Sequence, residues 1–174
     1  MSNAIVALVV IALMIIAALT WSQAAFTSLD SAAQSLKQTV ENTQEVERTD
    51  IEIVNVQRQG AFREVYVHNN GEVHLAQFAN WDVVVQYYGA SSTYYIRRLT
   101  YTVASNPGDN QWTIATIYSD QSRTQTEVFE PGILNPGEVA LLRLRLTPTP
   151  ANGTTNLVSV STANGVSASS QFTG

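Results

Sequence analysis

Hydrophobic and polar positions divide the chain into two regimes. From Ala4 to Leu19 every residue is apolar, and the uncharged run continues through Trp21. Such a stretch approaches the roughly twenty residues that cross ~30 Å of hydrocarbon as a helix. Its side chains include Ile5, Leu8, Val9, Ile11, Ala12, Leu13, Ile15, Ile16, Leu19 and Trp21. Neither Gly nor Pro appears between Met1 and Gln59, so helix-compatible sequence runs well past the apolar stretch. Phe26, Leu29, Ala33, Leu36 and Val40 follow at spacings of 3, 4, 3 and 4. They draw a narrow apolar seam, with Ser, Gln, Asp and Lys on the other faces. The pattern predicts one helix to Arg48, roughly 70 Å long at ~1.5 Å per residue. Its first part is apolar all round and needs apolar surroundings on every side, supplied by lipid or by copies of itself.

Beyond Asp50 the period changes from helical to alternating. Eight strands are predicted, at 50–57, 63–69, 81–88, 93–103, 112–118, 138–146, 156–162 and 166–172. Ala140, Leu142, Leu144 and Leu146 fall on one face of their strand while Arg143 and Arg145 fall on the other. Trp81, Val83, Val85 and Tyr87 make a second apolar face. Turn residues punctuate the runs at Asn69-Asn70-Gly71, Asn106-Pro107-Gly108-Asp109, Asn135-Pro136-Gly137 and Asn164-Gly165. The fold class expected is α+β, a long N-terminal hydrophobic α-helix followed by an immunoglobulin-like antiparallel β-sandwich. The division expected is 1–48 for the helix and 49–174 for the sandwich.

Charge sharpens this division. Met1 to Leu29 carries no charged side chain, and the remainder holds all fourteen acids and nine bases. Eight of the bases are scattered arginines and the net charge is −5, so no basic stripe offers itself to a phosphate backbone and nucleic acid is excluded as a partner. A secretory signal would open on a basic n-region, whereas no Lys or Arg precedes Lys37. A membrane anchor with a short stalk and a polymer core both fit the helix.

Candidate chemistry is sparse. The two histidines, His68 and His74, flank a Gly-containing turn, with Glu72 as the nearest further ligand; the reading is exposed strand histidines and no metal. The chain has no cysteine, no G-x-S-x-G, no H-E-x-x-H and no phosphate-cradling glycine loop. Neither an enzyme, a cofactor nor a small-molecule substrate is expected. Glu41, Glu45 and Glu47 read as a solvated face of the helix. The seven tyrosines suit an interaction surface, though strand propensity accounts for most of them. Asn152-Gly153-Thr154 is an N-x-T sequon on a predicted loop, which makes Asn152 a candidate for N-glycosylation.

An uncharged apolar helix leading into a seam and then a sandwich resembles the archaellin and type IV pilin superfamily of filament subunits. Three motifs carry the resemblance toward archaellins and their stator-like relatives: "HNNGEVHLAQFANWDVVV" (68–85), "LNPGEVALLRLRL" (134–146) and "STANGVSAS" (161–169). Bacterial type IV pilins have Phe first and Glu fifth, whereas Met1 and Ile5 stand here. The resemblance implies a homopolymer whose helix occupies the membrane before assembly and the filament core afterwards. It further implies a leader peptidase that leaves a mature chain beginning at Met1, although an initiator Met would read identically. An assembly ATPase and an extracellular location on the cell surface, serving motility, complete the expectation. The same resemblance covers accessory proteins whose anchored sandwich binds the cell-wall layer.

Overall fold

The computed structural model describes residues 2–174; Met1, on which the expected mature start rests, lies outside the described residues. Helix α1 spans Ser2–Arg48. The chain divides into two compact units, Met1–Thr43 and Gln44–Gly174.

Within the first unit four threonines satisfy their hydroxyls on the helix itself. Thr20, Thr27, Thr39 and Thr43 each donate a side-chain hydroxyl to the carbonyl four residues back, at 3.1, 2.9, 2.9 and 2.8 Å. Hydroxyls satisfied this way carry no unmet hydrogen bond into apolar surroundings. One surface ion pair, Lys37 with Glu41 at 3.8 Å, joins successive turns.

The second unit contains the end of α1 and eight strands: β1 (Ile51–Gln59), β2 (Phe62–Asn69), β3 (Asp82–Tyr88), β4 (Tyr94–Tyr101), β5 (Gln111–Tyr118), β6 (Val139–Arg145), β7 (Thr155–Ser161) and β8 (Ser167–Thr173). Each lies on one of the eight predicted runs. Their order is β1-β2-β6-β5-β4-β3-β7-β8. Every pairing is antiparallel except the short β4–β5 register, Thr100 with Gln111 and Tyr101 with Trp112, which joins the two halves of an immunoglobulin-like sandwich.

Alternation decides what fills the space between the halves. Val83, Val85 and Tyr87 from β3, Ala140, Leu142 and Leu144 from β6, and Val158 and Val160 from β7 are buried together with Trp112. Fully burying a Val or Leu side chain contributes about 1.5–3 kcal/mol, so this interior is the main source of the unit's stability. Tyr101 meets Trp112 edge-on at 4.9 Å, a favoured aromatic geometry. A bulge in β5 between Ile114 and Thr116 shifts its register against β6.

The opposite face of β6 differs from expectation. Leu141 is buried there beside Tyr66 and Val139, with Ala115 and Tyr118 packed against them. The chain after β5 turns back, with Tyr118 bridged to Thr126, and Arg123 lies 4.6 Å from the centre of the Tyr66 ring. Arg143 is accordingly only part-exposed, pairing with the buried Glu64 at 3.0 Å. Arg145 remains toward water, 3.0 Å from Asp109.

Candidate assembly site

The sequence places its candidate residues along α1, and the structure leaves them uncovered in the single chain. Ile5, Leu8, Val9, Ile11, Ala12, Leu13, Ile15, Ile16, Leu19 and Trp21 are all exposed, Leu8 to 70 % and Trp21 to 81 %. Phe26, Leu29, Ala33, Leu36 and Val40, which continue the apolar surface as a line at helical spacing, are exposed too. An apolar surface of this extent on one chain marks a surface that partners or lipid must cover. One stretch of α1, with a mean hydropathy of 2.8 over eighteen residues, is long and apolar enough to cross a membrane.

The helix ends without Gly or Pro, and residues of the sandwich explain how. Thr49 donates its backbone N–H to the Val46 carbonyl at 3.1 Å and its hydroxyl to the Glu45 carbonyl at 2.7 Å. Glu72 donates its N–H to the Arg48 carbonyl at 2.9 Å. Carbonyls that a helix terminus would leave orphaned are thereby satisfied. Arg48, in the last turn where a cation complements the helix dipole, also pairs with the Glu72 carboxylate at 3.0 Å.

All three archaellin-like motifs converge near this junction. The buried Asn69 amide donates to the Val73 carbonyl at 2.8 Å and to the Leu134 carbonyl at 3.0 Å, while its oxygen accepts the Gly71 N–H at 3.1 Å. Asn70 and Gly71 donate their N–H groups to the Asp50 carbonyl, both at 3.0 Å. A β-carbon at Gly71 would meet the Asp50 nitrogen at 2.5 Å and the Arg48 oxygen at 2.6 Å, so only glycine permits this approach.

The second motif locks onto the first. Gly137 donates its N–H to the Asn69 carbonyl at 2.8 Å, and Asn69 donates its own to the Glu138 carbonyl at 3.0 Å. Within that turn the buried Glu138 carboxylate accepts the Asn135 N–H at 2.7 Å. The third motif reaches the junction through Asn164, whose amide donates to the Thr49 hydroxyl at 2.7 Å. Thr49 is the residue that sequence reasoning passed over; a Thr-Asp step between a helical and an alternating pattern was its only signal.

The histidines separate. His68 is 6 % exposed on β2, which corrects the expectation of an exposed strand histidine. Its strand is flanked by β1 and β6, and the cluster around Tyr66 and Val139 covers the face it shares. His74 is exposed, its Nδ1 2.6 Å from the Asn135 side-chain oxygen. No group of three or more potential metal ligands occurs among the described residues. Of the tyrosines, Tyr87 is fully buried, whereas Tyr88 and Tyr94 are exposed and pack at 5.1 Å. Asn152 is exposed beside Gly153, and Thr154 of the sequon donates its hydroxyl to the Ala151 carbonyl at 2.7 Å.

An exposed apolar helix ahead of a sandwich with its own interior defines a class of protein whose helix is completed by other molecules. The chain belongs to the archaeal-type flagellin family, whose sequence profile matches residues 2–172. No curated protein matches it. Among solved structures it is similar to the archaeal flagellum of Methanospirillum hungatei strain JF1, at 14% identity and a TM-score of 0.54, over 96% of this chain and 90% of that one. It is also similar to the archaellum periplasmic stator protein FlaG from Sulfolobus acidocaldarius, at 20% identity and a TM-score of 0.50, over 71% of this chain and 99% of that one. A chain of the archaellum periplasmic stator protein complex FlaF and FlaG from the same organism matches at 19% identity and a TM-score of 0.50, over 70% and 87% of the two chains. At these identities the likenesses speak to fold. The family is one of structural filament subunits rather than enzymes.

Proposed function

We propose that the chain is the structural subunit of an extracellular archaellum-like filament that polymerises through α1 and serves motility. Support comes above all from the uncovered apolar surface of α1, which continues beyond the membrane-length run as the seam from Phe26 to Val40. A stalk needs no such seam, whereas a bundle of identical helices does. Before assembly the apolar run occupies the membrane, after a leader peptidase has acted. It then leaves lipid for the filament axis, and the sandwich forms the outer wall.

Exchanging lipid for protein around Leu8 or Ile11 gains little hydrophobic free energy, because both surroundings are apolar. Extraction therefore draws on an assembly ATPase, while close packing holds the product. Such a polymer grows by a heterologous contact that does not close into a ring.

The likeness to FlaG favours a second reading, a membrane-anchored accessory protein whose sandwich binds the cell-wall layer or another surface protein. Mass spectrometry of sheared surface filaments decides between them. A filament subunit is the dominant species in that material, whereas an accessory protein stays in the detergent-extracted membrane at low copy, and that result would sink the filament reading.

A further inference from the structure

At one end of the sandwich the β1–β2 register sets Arg58 directly opposite Arg63. Like charges placed opposite one another on a sheet repel. Arg63 is only 6 % exposed, and its buried Nε has no hydrogen-bond partner. Arg48, Arg98, Arg143 and Arg145 each have a carboxylate partner; among the described residues Arg58, Arg63, Arg97 and Arg123 have none, and of these four Arg63 alone is buried. The Phe172 ring lies 5.7 Å from the Arg63 guanidinium carbon, a favourable contact for a cation.

Burial and then the neighbouring Arg58 charge lower the Arg63 pKa from its ordinary value. A guanidinium nevertheless stays protonated at neutral pH. Arg58 is exposed, and donates from Nε to the Gly60 carbonyl at 3.2 Å and from Nη1 to the Asn152 side-chain oxygen at 3.5 Å. Both arginines line a cleft of about 240 Å3 whose other walls include Ala61, Leu146, Thr149 and Pro150, with no acidic side chain. Two cations facing one cleft without an acid leave room and charge for an anion. A guanidinium's planar fork of N–H donors matches the paired oxygens of a carboxylate, sulfate or phosphate. The volume lies below that of sites for drug-sized ligands.

We propose that this cleft is an oxyanion site, admitting a carboxylate, sulfate or phosphate group together with no more of its carrier than a single sugar or amino acid. The group has two sources: a free small acid, or an acidic side chain of a second copy of this chain. Only the second source rests on the filament reading.

Calorimetric titration of the full chain in detergent with sodium sulfate, against sodium chloride at equal ionic strength, tests the site. Saturable binding of one sulfate per chain is expected, weakened at least tenfold in Arg58→Gln, whose fold is checked by circular dichroism. Repeating the titration on assembled filaments separates the sources. Binding by monomer and filament alike supports a free acid, and binding by the monomer alone supports a neighbour's carboxylate already in the cleft. Absence of saturable binding to the monomer, or parental affinity in Arg58→Gln, overturns the proposal. A chain that never forms filaments would defeat the polymer reading and leave the monomer titration to decide the cleft.

Discussion

Gly71 illustrates how one missing side chain sets a junction. Its backbone lies so close to Arg48 and Asp50 that a methyl group must displace main chain rather than a yielding side chain. Gly71→Ala should therefore cost about 1–3 kcal/mol, the usual range for overpacking, measured by denaturant unfolding of the sandwich. A change under about 0.5 kcal/mol would show that the junction adapts freely. The two histidines diverge for a related reason. His74→Ala removes an exposed side chain and should stay within about ±0.5 kcal/mol, while His68→Ala empties a buried position and should cost about 1–3 kcal/mol. Equal stability of the two variants in thermal unfolding would contradict the burial of His68.

Along single elements, the periods of 3.6 and 2 made α1 and all eight strands legible, because burial on one face of each strand and apolarity around the helix write directly into residue order. Trp81, Val83, Val85 and Tyr87 were readable as an inner face for that reason. Contacts created by chain reversal were not legible. Leu141 and His68 lie on faces that alternation alone assigns to solvent, and they are buried because strands and returning segments distant in sequence flank or cover them. The cleft at Arg58 and Arg63 was hidden as well, because it depends on the β1–β2 register. Within α1, Leu29→Glu combined with Leu36→Glu places two carboxylates on the seam. In a bundle each would be buried and unpaired, costing several kcal/mol per subunit, so filaments should disappear while membrane insertion continues. Normal filaments from the double variant, seen by electron microscopy, would remove the seam from the assembly interface.

For the whole molecule, the interior of the sandwich is drawn, among the described residues, from the stretch Ile51 to Phe172. Cleaving the chain near Thr43 should thus release a soluble, monomeric domain that unfolds cooperatively, as measured by sedimentation and calorimetry. Aggregation of that fragment would mean that α1 supplies part of its stability. The fragment would also retain the Arg58–Arg63 cleft, since every wall of it belongs to the same unit.

The strand order has a further consequence for crowding. β1 and β8 stand at its two ends, where unpaired N–H and C=O groups ordinarily invite another chain to add a strand. Here the two ends lie against each other, β1 packing beside β8, and Arg63 of the neighbouring β2 reaches over the Phe172 ring. Each edge shields the other from solvent-borne strands. At this seam many copies held side by side can then touch through side chains alone, and strand addition between neighbours is blocked there.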